Sequence, residues 1–135
     1  MTHLLDTSAL LAHYLAEPGA ERVQALFEDE AVVTGTSILA LYEFELRLHQ
    51  LGVDAVTRAT ELNRYRALLN EVVDVTEAVR GEAIRLRTSA TAHVAAREVL
   101  MAATASLKNA TLVHRDPHFV AIPGSLLKQE FLPAK

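Results

Sequence analysis

The 135-residue sequence contains no cysteine. That removes disulfides, thiolate nucleophiles and cysteine-held zinc together. Long apolar runs are also missing: stretches such as "SILALYEF" fall far short of the roughly 20 residues a membrane span requires. The opening "MTHLLD" has neither the basic start nor the cleavage site of a secretory signal, so the expected location is cytoplasmic. No Gly-rich phosphate loop follows any strand-like run, which argues against a nucleotide-binding Rossmann protein. Positive charge is not in excess, since 13 Lys and Arg face 17 Asp and Glu for a net charge of −4. A nucleic-acid binder of this composition needs a local basic patch or metal ions to offset its own carboxylates.

What is present suits one compact domain over residues 1–135. Half the residues are hydrophobic and 22% are charged, enough for a real core and unlike a disordered chain. Short apolar runs alternate with helical patterns. "THLLD", "AVVTGTS", "EVVDV" and "ATLVHRD" read as strands. Between them lie helical stretches: Ala9 to Ala16, stopping near Pro18-Gly19; "GAERVQALFEDE"; "ILALYEFELRLHQL" up to Gly52; "DAVTRATELNRYRALLN"; "TEAVRGEAIRLRTSA"; and "VAAREVLMAATASLKN". The tail "AIPGSLLKQEFLPAK" is ambiguous. Strands separated by helices of this length predict an α/β fold, a parallel sheet of four to five strands with helices on both faces.

Four carboxylates stand out against this frame. Asp6 ends the first strand, where a helix N-cap and a ligand-facing position at the carboxyl edge of a sheet are both open readings. Glu43 sits on a helix apolar nearly all round. A surface Glu43–Arg47 pair is the bland account, worth only a few tenths of a kcal/mol, and an unpaired buried charge is the costly one. Glu45 projects from the opposite side and is expected in solvent. Glu98 heads an apolar stripe formed by Val94, Met101, Ala102 and Ala105, with no cation in reach on its own helix. Water and the helix dipole are the alternative partners for it. Asp116 repeats the Asp6 arrangement at the end of "TLVHRD", with Pro117 next, so that turn-capping is again open.

Strands of one parallel sheet bring Asp6 and Asp116 to the same edge, and two helices starting there carry Glu43 and Glu98 towards it. Converging carboxylates without matching cations repel one another, and hard divalent ions such as Mg²⁺ or Mn²⁺ remove that penalty. Six histidines are present, but their spacing matches no recognised zinc motif. Such a cage suits phosphodiester hydrolysis by metal-activated water. Thr7 and Ser8, beside Asp6, are placed to hydrogen-bond a carboxylate.

The segments "LLDTSALLAHYL", "TSILALYEFE" and "EVLMAATASLKNATLVHRDPHF", in this order and at these separations, resemble the PIN-domain ribonucleases over essentially the whole chain. VapC-type toxins of toxin–antitoxin pairs are the nearest resemblance. It implies a three-layer αβα fold and Mg²⁺- or Mn²⁺-dependent endoribonuclease action. The family's acidic positions fall on Asp6, Glu43, Glu98 and Asp116, with Asp6, Glu98 and Asp116 as metal ligands. A homodimer and an antitoxin protein that blocks the site are implied as partners. Glu98 stands where the family commonly has Asp, and His114 where it often has Thr or Ser. Arg115 and His118, flanking Asp116, are the expected phosphate contacts on the RNA. Two other classes compete: a PIN-like module that binds RNA or an antitoxin without cutting, and a phosphatase with Asp6 as nucleophile. The phosphatase lacks the second Asp that such enzymes carry two residues on.

Overall fold

Strand β1, His3–Leu5, runs directly into helix α1, Thr7–Tyr14, in a computed structural model that describes residues 1–135. Helix α2 (Ala20–Glu28), β2 (Thr34–Ser37), α3 (Ile38–Gln50), α4 (Ala55–Leu68) and β3 (Glu71–Val73) follow. The second half holds α5 (Glu77–Ser89), α6 (Ala96–Leu107), β4 (Thr111–His114), a 3-10 turn over Pro117–Ala121, and β5 (Gln129–Phe131). All strand pairings are parallel, in the order β3-β2-β1-β4-β5.

The central strand is β1, with His3 opposite Thr34 on one side and Thr111 on the other. Successive strand residues face opposite sides of a sheet. Leu4 and Leu5 are nonetheless both wholly buried, as are Leu112 and Val113 of β4. Helices therefore cover both faces, giving the three-layer α/β arrangement expected of parallel strands. From β1 the chain steps to β2 and β3 on one flank, then crosses back to β4 and β5 on the other. That reversal opens a crevice beyond the carboxyl ends of β1 and β4, where open α/β sheets take their ligands.

Local chemistry explains most boundaries. Side chains of Asp6, Ser37, Asp54 and Thr76 accept backbone N–H groups at the starts of α1, α3, α4 and α5. Helix α3 ends in a Schellman turn: Gly52, at φ 86°, donates to the His49 carbonyl and Val53 to that of Leu48. Asn109 closes α6 in the same way at φ 51°. So does Ala16 for α1, at φ 52°, although alanine gives no sequence signal for a left-handed position.

Three expectations need correction. The first helix starts at Thr7 rather than Ala9, because Asp6 is its cap. Helix α3 is not buried all round: Ala40, Leu41, Phe44 and Leu48 face the core, while Tyr42 and Leu46 are exposed. The ambiguous tail supplies a fifth strand at the sheet edge, with Leu112 opposite Gln129 and His114 opposite Phe131.

Candidate functional site

The crevice beyond β1 and β4 is a cleft of about 370 Å³ lined by Asp6, Thr7, Ser8, Glu43, Arg97 and Asp116, among others. Five separate parts of the chain reach it or its edge. Asp6 comes from the β1–α1 junction, Glu43 from the second turn of α3, and Arg97 and Glu98 from the first turn of α6. Asp116 follows β4, and His118 stands on the 3-10 turn.

Asp6 is 4% exposed. The Ser8 backbone N–H and hydroxyl donate to its Oδ2 at 3.2 and 2.6 Å. Burial raises the Asp6 carboxyl above the usual range against the opposing pull of those bonds, and the nearby Glu43 charge adds to the rise. Asp6 is thus both a helix cap and a cleft-facing acid; the two readings of its position are not exclusive. Ser8 does more than cap, because its Oγ also accepts the Arg115 backbone N–H at 2.9 Å. One hydroxyl thereby fixes the loop carrying Asp116 to the residue carrying Asp6.

Glu43 is held from two sides. The Thr7 hydroxyl donates to its Oε1 at 2.7 Å, and the Arg97 guanidinium meets Oε2 at 3.0 Å. Arg47, its helical neighbour, lines the cleft instead of forming the surface pair that spacing alone offered. Glu45 pairs with Arg58 at 3.3 Å, away from the cleft residues.

Glu98 does not point to water. It is 5% exposed, and its Oε2 is a buried polar atom with no hydrogen-bond partner. Its Oε1 lies 3.3 Å from Nδ1 of His118, which is also 3.2 Å from Oδ1 of Asp116. Asp116 caps the 3-10 turn by accepting the His118 N–H at 2.9 Å. Donor atoms of Glu98, Asp116 and His118 all lie within 4.8 Å of one another, a grouping able to hold a metal ion. Asp6, expected as a third ligand, lies outside that trio but shares the cleft with Asp116. An orphaned buried carboxylate oxygen in a set of oxygen and imidazole donors fits a divalent cation.

The expected phosphate contacts diverge. The Arg115 guanidinium is occupied by Glu17 at 2.8 Å and the Pro18 carbonyl at 3.3 Å, and its side chain is largely buried. His118 stays exposed at the rim. Arg97, half-exposed and paired with Glu43, lines the cleft together with Arg47. Beneath Asp116, His114 is wholly buried between Phe119 and Phe131, with ring centroids 4.6 and 4.5 Å away. Its Nδ1 accepts the Asp116 N–H at 3.1 Å, and Nε2 meets the Gln129 Oε1 at 2.8 Å. Gln129 in turn donates to the Phe119 carbonyl at 3.0 Å. This network assigns the ring proton to Nε2 of a neutral imidazole, and burial lowers its pKa. Sequence reasoning missed Gln129, since a glutamine in an ambiguous tail carries no signal.

The PIN domain family model matches residues 3–125, and the chain belongs to that family. Solved structures with the same fold include VapBC2 from Rickettsia felis bound to a DNA fragment from its promoter. The two are 20% identical over 98% of this chain and 100% of that one, with a TM-score of 0.78. DNA-bound VapBC from Salmonella typhimurium gives 15% identity, 96% and 97% coverage, and a TM-score of 0.75. FitAcB from Neisseria gonorrhoeae gives 22%, 95% and 96%, and 0.72. At these identities the likeness is one of fold. Curated protein sequences yield no significant match.

Proposed function

We propose that this chain is a divalent-metal-dependent endoribonuclease acting in the cytoplasm as the toxin of a toxin–antitoxin pair. One observation carries the reading: Asp6, Glu43 and Asp116 line one cleft at the switch point of the sheet, and Glu98, grouped with Asp116, is buried with an oxygen that has no partner. A protein built only for stability pairs such an oxygen or replaces it. Glu98 and Asp116 are the carboxylates placed to hold Mg²⁺ or Mn²⁺. When bound, such an ion neutralises charge on a phosphate and acidifies water for attack on phosphorus.

The chain's own residues supply the rest. Asp6, held by two hydrogen bonds from Ser8 to Oδ2, faces the cleft with a carboxyl that burial raises above the usual range. Thr7 and Arg97 fix Glu43 in the cleft. Arg97 offers a guanidinium to the RNA backbone from the cleft wall. A small antitoxin protein and a second copy of this chain are the partners that go with this role. The VapBC structures named above support the antitoxin by analogy of fold.

Cleavage of a mixed structured RNA pool with no metal, with Mg²⁺ and with Mn²⁺ tests the reading. The native chain is expected to cut only with metal. Asp6→Asn is expected to lose at least about a hundredfold in rate, the scale on which even a 1 Å misplacement is felt. RNA binding without cutting in either metal would replace this reading with that of a non-catalytic binding module.

A further inference from the structure

The RNA-cleaving family to which the chain belongs points to an all-carboxylate cation site, but the donor set here is different. We propose that Nδ1 of His118 is a metal ligand together with Glu98 and Asp116. The site is then a mixed nitrogen–oxygen one that takes a first-row transition ion, Mn²⁺ or more strongly the borderline Zn²⁺, in preference to Mg²⁺. The inference rests on the metal-dependent reading above and deepens it by naming the class of ion.

Three observations support it. The imidazole stands over both acids at once, 3.3 Å from Glu98 Oε1 and 3.2 Å from Asp116 Oδ1. Ligand atoms about 2.0–2.1 Å from a tetrahedral ion lie roughly 3.3 Å apart, so these separations are those of neighbouring ligands on one small cation. The ring makes no hydrogen bond to any group other than these two acids, so no third group competes for Nδ1, and two-thirds of the side chain is exposed. Independently, the buried and partnerless Oε2 of Glu98 marks the same carboxylate as one awaiting a cation.

Chemistry then selects the ion. Mg²⁺ keeps oxygen ligands and sheds water reluctantly, whereas imidazole suits later first-row metals. An imidazole among the donors therefore shifts preference away from Mg²⁺, modestly towards Mn²⁺ and more strongly towards Zn²⁺, the order expected along the series. His118 is also the residue that sequence spacing offered as a phosphate contact. On this proposal its nitrogen is directed at the cation, and the cation at the phosphate.

Titration calorimetry on metal-free protein, without RNA, tests this with MgCl₂, MnCl₂ and ZnCl₂. The native chain is expected to bind Zn²⁺ most tightly, and Mn²⁺ at least about tenfold more tightly than Mg²⁺. His118→Ala, at an exposed position that leaves the core intact, is expected to lose about tenfold or more for Mn²⁺ and little for Mg²⁺. His118→Asp is expected to restore binding with the preference moved towards Mg²⁺. Pulsed electron paramagnetic resonance of the Mn²⁺-loaded native chain is expected to show a nitrogen coupling that His118→Ala lacks. An unchanged Mn²⁺-to-Mg²⁺ ratio in His118→Ala, or no nitrogen coupling in the native chain, overturns the proposal. That includes the case of an imidazolium simply bridging the two acids. Ion binding with nitrogen coupling but no RNA cleavage would overturn the proposed nuclease and leave this inference standing.

Discussion

The amino end of α1 gathers Asp6, Thr7 and Ser8 at the cleft, while one face of its carboxyl end presents His13 to α2 and α4. At His13 every polar atom is answered. Nδ1 lies 2.7 Å from the Tyr65 hydroxyl, Nε2 lies 2.7 Å from the Gln24 Oε1, and Gln24 donates to Glu28 at 2.7 Å. Phe27 and Phe44 meet these rings edge-on, and burial pushes the wholly buried Tyr65 phenol up to about 12. The cleft end contrasts with this. Asp6 is buried at the expense of its charge, and Glu98 beyond it has an oxygen with nothing to bond. A closed polar network stabilises a fold, whereas an open one raises the energy of the free protein until a ligand closes it. Eight residues of one helix therefore join a region selected for stability to one selected for binding.

The sharpest way to break this contrast is to remove the orphan. In metal-free protein Glu98→Met is expected to raise stability by about 1–3 kcal/mol, the usual cost of an unsatisfied buried polar group. Urea unfolding with and without Mn²⁺ checks it, since the stabilising effect of Mn²⁺ expected for the native chain should vanish in the variant. A less stable Glu98→Met would place Glu98 among the structural residues.

Asp6 gives the next effect. Its folded carboxyl titrates above the unfolded value of about 3.9. Between those two values the folded state holds the extra proton, so stability falls as pH rises through that window. Thermal unfolding of metal-free protein across pH 3–7 is expected to show this slope, and Asp6→Asn, which keeps a good cap, is expected to flatten it. At pH 7 the variant should melt a few degrees higher than the native chain, while losing cleavage.

The smallest effect belongs to the closed network. Tyr65→Phe removes one hydrogen bond and leaves the His13 Nδ1 unpaired, an expected loss of about 0.5–1.5 kcal/mol by the same urea measurement, with cleavage unchanged. A large loss of cleavage in Tyr65→Phe would show that the two ends of α1 are coupled.

Much of this was legible in the sequence, for definable reasons. The parallel sheet could be read from strand-like runs spaced by helical lengths. The meeting of Asp6, Glu43 and Asp116 at one cleft follows from that topology. Less accessible were facts that depend on chain reversal at short range. His118 follows Pro117 two residues after Asp116, a spacing that matches no helix face or zinc motif. Only the 3-10 turn beginning at Pro117 swings its ring back over Asp116 and Glu98. Arg115 looked available beside Asp116, yet its side chain pairs with Glu17, 98 residues away in sequence. Glu43 had a cation four residues along its own helix, but the salt bridge it makes is with Arg97 of α6. Partners chosen across the fold, rather than along one element, leave little trace in local spacing.

The position of β1 has a consequence for the timing of synthesis. His3 lies against Thr111, so the centre of the sheet cannot close until β4 has emerged from the ribosome. At about 5–20 residues per second, the roughly one hundred intervening residues take on the order of ten seconds to make. Throughout that interval the nascent chain lacks Asp116 and a partner strand for that side of β1, although Asp6 and, later, Glu43 have already been made. A fold whose first strand is completed by its fourth keeps the acidic cleft from assembling until translation is nearly over.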